Sequence, residues 1–262
     1  AAEGADDAAA ETFRTAIEQL DTAAISTLHA FAQRILTEHP IEAGLPPDVD
    51  VLDEVASHIE FEERWRRFRD RLLDDPALER TMLLALAAGI TLTDLRHVAT
   101  VLGENWDLVA DKQRLPWDRT EPPRCDASAV IRDIAALLDR LEECTDDGDR
   151  LCQHLTGKVA PYLEQLRQAH DEYEVLELLR APQPRFDYKN LGRKDNWRDK
   201  AGILADMRAV GEARQRIADD VALHALRRIT LEIAEFTLDA AAQRRATGRL
   251  EFHDLLVLAR DV

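Results

Sequence analysis

Residues 25–36 read Ile25-Ser26-Thr27-Leu28-His29-Ala30-Phe31-Ala32-Gln33-Arg34-Ile35-Leu36, and the stretch joins a short β-prone run to a helix. Ser26 and Thr27 are good N-cap residues, and the apolar side chains that follow recur at helical spacing. Thr27 and His29 stand at the turn, where polar side chains and free backbone N–H groups can meet a phosphate. An ordinary amphipathic helix with a capping hydroxyl explains the same pattern.

Composition indicates a mostly helical chain and therefore an all-α fold class. The 262 residues are 45% hydrophobic and only 5% aromatic, and long Ala/Leu/Arg/Glu stretches dominate. The formal net charge of −17 disfavours a general nucleic-acid coat, so any DNA contact requires a local basic patch. Three cysteines, a sparse and odd count, fit a reducing cytosol. No run reaches the roughly 18 apolar residues that a membrane span needs.

Local signals predict the course of the chain. We expect helices over residues 8–20, from Ser26 or Thr27 to Pro40, and from Asp53-Glu54 to about Leu73. Because Asp50 interrupts the run before Asp53-Glu54, this run is not interpreted as a Walker B strand. A long helix is predicted over residues 199–247, with Gly211 as its kink, and Gly248 ends it. A short strand or turn and a last helix follow.

Familiar catalytic and metal-binding patterns are not recognisable in the sequence. Gly157-Lys158 suggests a phosphate loop, but Cys152 occupies the position of a required Gly and Val159 that of a required Ser or Thr. The spacing of Cys144, Cys152 and His154 fits no standard zinc site. We therefore expect this chain alone to be catalytically inactive and to hold no cofactor.

Residues 185–200 differ from the rest of the chain, because six basic and three acidic residues give them a local charge of +3. Asn190-Leu191-Gly192 predicts a turn, so the stretch would project as a hairpin or loop. One interpretation is a DNA-binding segment, in which basic side chains neutralise phosphates and aromatic rings stack on bases. Its candidate residues are Arg185, Tyr188, Lys189, Arg193, Lys194, Trp197 and Arg198.

The alternative interpretation of residues 185–200 is structural. The aromatic side chains would then anchor a loop to the core, while Asp187, Asp195 and Asp199 pair with basic neighbours. In that case the DNA path would lie elsewhere, and the arginine-rich ridge over residues 64–71 is the next candidate.

Three segments of the sequence resemble one protein family. Thr27 to Phe31 resembles the TxHxF motif of UvrD/Rep-type superfamily 1 DNA helicases. Residues 36–54, LTEHPIEAGLPPDVDVLDE, are similar to the continuation of that motif in the RecB/AddA-like branch. Residues 248–256, GRLEFHDLL, resemble the GxLxFxDLL segment that precedes Walker B in the same family.

The resemblance implies a fragment of a larger motor. Residues 1–38 and 248–262 would be edges of a RecA-like α/β domain, and residues 39–247 a helical insertion of the kind called subdomain 1B. Thr27, His29 and Phe31 would fall on the DNA-contacting residues of the TxHxF motif. Ala30 and Ala32 depart from the commoner Ser and Cys of that motif, which removes one hydroxyl for a phosphate contact.

The parent chain implied by the resemblance is an ATP-dependent DNA helicase of recombination and repair that uses ATP and magnesium. Its expected partners are single-stranded and fork or duplex DNA, the rest of the helicase chain and a partner subunit. We expect it to be cytoplasmic, with no membrane contact. The alternative function is a helical protein–protein interaction domain without DNA contact, which the net charge of −17 favours.

Overall fold

A computed structural model describes Arg14 and residues 27–111 and 119–262 of the chain. The predicted helix over residues 8–20, apart from Arg14, and the β-prone run before Thr27 lie outside the described residues. The rest is mostly helical, which confirms the all-α class. The helices are α1 (Leu28–Glu38), α2 (Glu54–Asp74), α3 (Glu79–Ala87), α4 (Leu92–Gly103), α5 (Trp106–Ala110), α6 (Ser128–Asp139), α7 (Arg150–His154), α8 (Ala160–Gln168), α9 (Glu172–Arg180), α10 (Lys200–Thr247) and α11 (Phe252–Arg260).

The chain divides into two compact units, and the first of them is discontinuous in sequence. It comprises the described part of Ala1–Glu62 together with Asp239–Val262, whereas the second is Glu63–Leu238. The predicted boundaries, at residues 38/39 and 247/248, lie nearer the chain ends. The observed boundaries between the two units, 62/63 and 238/239, lie inside α2 and α10, and each of these helices therefore contributes residues to both units.

The first unit is held by contacts between residues far apart in the sequence. Strand β1 (Asp50–Val51) pairs in parallel with β2 (Arg249–Leu250). Gly248, with a φ of +70°, permits the turn into β2, because a Cβ there would lie 2.5 Å from the Asp48 carbonyl oxygen. Helices α1 and α11 pack together over an apolar core. That core comprises Ala32, Leu36, Ala43, Leu45, Leu250, Leu255 and Leu258.

Caps explain where several helices begin. The Thr27 hydroxyl accepts a hydrogen bond from the Ala30 N–H at 3.2 Å, and α1 begins directly after it, as predicted. Asp53 Oδ1 accepts from the Ala56 N–H at 2.7 Å, which confirms that Asp53-Glu54 opens a helix. Thr91 and Asp94 form a reciprocal capping box at the start of α4.

The second unit has a core of large aromatic and aliphatic side chains. Phe68 of α2 stacks on Phe236 of α10 with ring centroids 4.6 Å apart, and Trp65 packs against both rings. Gly211 lies inside α10, which continues through this position as a single helical element and does not end there. An ideal Cβ at Gly211 would lie 3.0 Å from Phe186 Cβ, and the glycine therefore permits close packing of Phe186.

The described helices differ in length and hydropathy, which decide whether a helix can cross a membrane. No single one of them is both long and apolar enough to cross a membrane. The bent pair α3 and α4 meets the criteria of length and composition only when the two helices are counted together.

A buried ion pair joins the last turns of α10 to α11 within the first unit. Arg244 Nε and Nη2 lie 2.6 and 2.8 Å from the two carboxylate oxygens of Asp254. The Arg244 and Asp254 side chains are only 6% and 2% exposed. Asp254 also accepts the Glu251 N–H, so the carboxylate both caps α11 and neutralises the guanidinium.

We predict that Asp254→Ala lowers the free energy of unfolding by about 3–5 kcal/mol, because it leaves the Arg244 charge buried without its main partner. Urea unfolding followed by circular dichroism measures the change. The matched control is Asp261→Asn in the exposed Arg260–Asp261 pair, where a loss below about 1 kcal/mol is expected. Equal losses in the two variants would contradict the role assigned to the buried pair.

Candidate nucleic-acid interface

The basic stretch of residues 185–200 forms an irregular loop of the second unit between α9 and α10. Its regular pieces within the described residues are a short 3₁₀ turn over Lys194–Asn196 and an isolated β-bridge from Trp197 to Cys144, so it is a loop and not a hairpin. Phe186 is 4% exposed and packs edge-on against Tyr162, with centroids 6.0 Å apart. The Arg214 guanidinium lies over both rings. These contacts anchor the first part of the loop.

The second part of the loop is organised by Asp149, which is 4% exposed. One of its carboxylate oxygens, Oδ2, accepts the Arg193 N–H at 2.7 Å and the Asn196 side-chain amide at 3.0 Å. The other, Oδ1, accepts the Trp197 indole N–H at 3.0 Å and the Leu151 N–H at 2.8 Å. Four donors therefore converge on one buried anion.

Lys200 holds the same loop from the other side. Its ammonium group donates to the Gly192 carbonyl oxygen at 2.7 Å and to the Asn190 side-chain oxygen. The Gly192 carbonyl and the Arg193 N–H belong to one peptide unit, so a cation binds one end of that unit and an anion the other. Gly192 has a φ of +76°, and a Cβ there would lie 2.3 Å from Asp149 Oδ1, so only glycine fits.

The pKa of Asp149 reflects this environment. Burial by itself would raise the pKa of the carboxyl group. The hydrogen bonds from the Arg193 N–H, the Trp197 indole and the Leu151 N–H act in the opposite direction and prevail, and they lower the pKa of Asp149 to about 2. The carboxylate is therefore ionised at neutral pH, with its charge facing donors and not solvent.

Three basic side chains extend from this backbone and are exposed. Arg193, Lys194 and Arg198 line an open groove of about 860 Å³ at the start of α10. Within residues 27–111 and 119–262, no acidic side chain forms an ion pair with any of these three. Asp195 and Asp199 also border the groove, but Asp199 pairs with Arg140 at 3.2 Å. Exposed cationic groups on an ordered loop are suited to binding a polyanion.

The structure separates the predicted site residues of the loop into two groups. Trp197 is 6% exposed and gives its N–H to Asp149, so in this conformation it is an anchor and not a base-stacking platform. Tyr188 is half-buried between the Arg185 guanidinium, 5.0 Å from its ring centroid, and the His154 ring. The basic residues that remain exposed are Arg185, Lys189, Arg193, Lys194 and Arg198.

Within the described residues, none of the three acids of the loop pairs with a basic side chain inside it. Asp187 lies 3.4 Å from Arg208 and Asp199 pairs with Arg140, so both acids bind arginines outside residues 185–200. Asp149 was missed as an organising residue. The available sequence signal was an acidic residue next to a glycine turn, Gly148-Asp149, directly before α7, which is the usual position of a helix cap.

The TxHxF-like residues Thr27, His29 and Phe31 lie on the first unit. The hydroxyl of Thr27 is used in the cap of α1. His29 packs edge-on against Phe252, with ring centroids 5.3 Å apart. Phe31 is 40% exposed, and the Arg34 guanidinium lies 5.5 Å from its ring centroid. Phe31 is thus a surface aromatic beside a cation.

No group of His, Cys, Asp and Glu side chains among the described residues is arranged to hold a metal ion. Gly157 and Lys158 lie in a π-helical turn over Leu155–Val159, which is not a phosphate-binding loop. Comparison with protein-family models and with curated proteins found no match to the chain.

The depressed pKa of Asp149 predicts a specific pH dependence of stability. Because the pKa is about 2 in the folded state and about 4 in an unfolded chain, the carboxylate stabilises the fold above about pH 4. This contribution is lost as the pH falls towards 2. The difference in free energy of unfolding between the wild type and Asp149→Asn should therefore shrink below about pH 4. Urea unfolding from neutral to acidic pH measures it, and a difference independent of pH would contradict the assignment.

Proposed function

We propose that this chain is part of a UvrD/Rep-type DNA helicase of the RecB/AddA-like branch, acting in the cytoplasm in recombination and repair. In this proposal, the second unit is a helical insertion that binds and guides DNA beside the motor. The terminal pieces are edges of the RecA-like domain. ATP and magnesium serve the parent enzyme and are not bound by this chain alone.

The discontinuous first unit supports the proposal most directly. The segments that carry the two motif resemblances lie at opposite ends of the sequence. They meet in one parallel strand pair and in one packed pair of helices. A separate helical unit of residues 63–238 is inserted between them in the sequence. This is the organisation expected of a subdomain inserted into a motor domain.

The electrostatic character of the basic loop supports the DNA-guiding role. The whole chain carries a net charge of −17, so phosphates are repelled at long range. The exposed cations of residues 185–200 are a local exception, and their aromatic neighbours are used to hold the backbone. Such a surface would bind the nucleic-acid backbone without reading its sequence.

We predict that replacing Arg193, Lys194 and Arg198 by alanine weakens binding of any DNA sequence. The binding constant should also depend less on salt, by up to about one unit of slope for each lost phosphate contact. Fluorescence anisotropy with a labelled oligothymidine of about 20 nucleotides, titrated at several salt concentrations, measures both quantities.

The matched control removes the same charge elsewhere in the second unit. Arg132, Arg180 and Arg227 are exposed arginines on helices, and none of the three lines the groove. Their triple alanine variant should keep the wild-type salt slope. If the two triple variants weaken DNA binding equally, the loop contributes only its charge and makes no specific phosphate contacts. If the wild-type protein shows no salt-dependent DNA binding, the alternative function as a helical protein–protein interaction domain is favoured.

A second prediction concerns nucleotides. We expect this chain alone neither to bind ATP tightly nor to hydrolyse it, because its sequence has no recognisable phosphate loop or magnesium-binding acid. Isothermal calorimetry with ATP and magnesium tests this. Stoichiometric binding that disappears in the Lys158→Ala variant would overturn it.

A further inference from the structure

We infer that Asp149 and Lys200 are positioning residues that hold the Gly192–Arg193 peptide, and with it the Arg193 and Lys194 side chains, in a conformation ready to bind phosphates. The inference rests on the proposed DNA-binding function and adds to it two residues that would not touch the nucleic acid themselves. Asp149 acts through the Arg193 N–H and Lys200 through the Gly192 carbonyl.

The Gly192–Arg193 peptide is held at both of its polar groups. A loop of five exposed basic side chains repels itself, and in a flexible backbone those side chains would spread apart. Here the peptide between Gly192 and Arg193 is bound at its N–H by an anion and at its carbonyl by a cation. The indole N–H of Trp197 binds the same carboxylate and fixes the far end of the 3₁₀ turn. The backbone is therefore ordered before any ligand arrives, and binding need not order it.

The burial of the Asp149 carboxylate determines which charges the loop presents at its surface. An acidic side chain exposed beside Arg193 and Lys194 would repel phosphate. Asp149 is buried and its two oxygens are occupied by four donors. Its charge is thus used inside the loop, while the arginine and lysine charges remain at the surface.

The loss of a negative charge in Asp149→Asn distinguishes the positioning role from a purely electrostatic effect. Asp149→Asn removes a negative charge near the groove, so electrostatics alone would tighten DNA binding. The inference requires the opposite, because in either orientation an asparagine turns an NH₂ group towards two of the four donors that hold the loop, and those hydrogen bonds are lost. We expect Asp149→Asn to weaken oligothymidine binding about tenfold with an unchanged salt slope, since the number of phosphate contacts is the same.

The matched control is Asp195→Asn. Asp195 is an exposed acid that borders the same groove and forms no hydrogen bond or ion pair with another described side chain. The same change of charge at this position should leave DNA binding unchanged or tighten it. Far-UV circular dichroism and the binding stoichiometry verify that each variant is folded.

Gly192→Ala provides a second test that alters no charge. It displaces the same peptide, because alanine is strained at a φ of +76° and its Cβ would collide with Asp149. It should also weaken binding with the slope unchanged. This variant decides the question if Asp149→Asn does not fold.

The outcomes separate the inference from the function on which it rests. Weaker binding in Asp149→Asn or Gly192→Ala, but not in Asp195→Asn, supports the positioning role. Wild-type or tighter binding by folded Asp149→Asn and Gly192→Ala overturns it. In that case the DNA-binding function stands if the Arg193, Lys194 and Arg198 variant is still impaired. A wild-type chain without salt-dependent binding refutes the DNA-binding function and the positioning role together.

Discussion

The buried Asp149 carboxylate is the constraint on which the basic loop depends. A carboxylate removed from water is costly unless hydrogen bonds replace its hydration. Asp149 accepts one from the Leu151 N–H and three from residues 193–197, more than 40 residues further along the chain. In satisfying the anion, the loop turns its indole inward and its guanidinium and ammonium groups outward. An acidic protein thereby presents a local basic surface.

A second buried charge has a comparable effect in the first unit. Asp254 binds Arg244 near the end of α10 and the N-terminus of α11. The apolar core beneath comes from residues near both ends of the chain. Two segments that share one core, with a helical unit between them in sequence, are the observation on which the proposed insertion of that helical unit rests.

Local signals made much of the fold predictable. The Thr27 cap, Pro40 after α1, the acidic start of α2 and the apolar period of α10 each act within a few residues, so sequence spacing is enough to identify them. The position of Asp149 before α7 indicates a helix cap, but nothing local indicates that this acid of the turn, and not Asp146 or Asp147, organises the basic loop. Which of these acids is buried depends on donors 44 to 48 positions away.

The roles of the aromatic residues at the site could not be predicted from the sequence either. Trp197 and Tyr188 stand among basic residues in the same manner, and the sequence favours stacking on bases or anchoring equally well for both. Only the tertiary structure distinguishes them, since Trp197 is buried on Asp149 whereas Tyr188 lies half-buried against Arg185. The cationic members of the predicted site need no such partner, and their exposure follows from the cost of burying a charge.

The most direct measurement is hydrogen–deuterium exchange of the wild-type chain with and without a saturating oligothymidine. If the second unit guides DNA through this loop, added DNA slows exchange in residues 189–200 and at the start of α10, and high salt abolishes the effect. No change in that segment at low salt, with the oligonucleotide bound, would contradict the account.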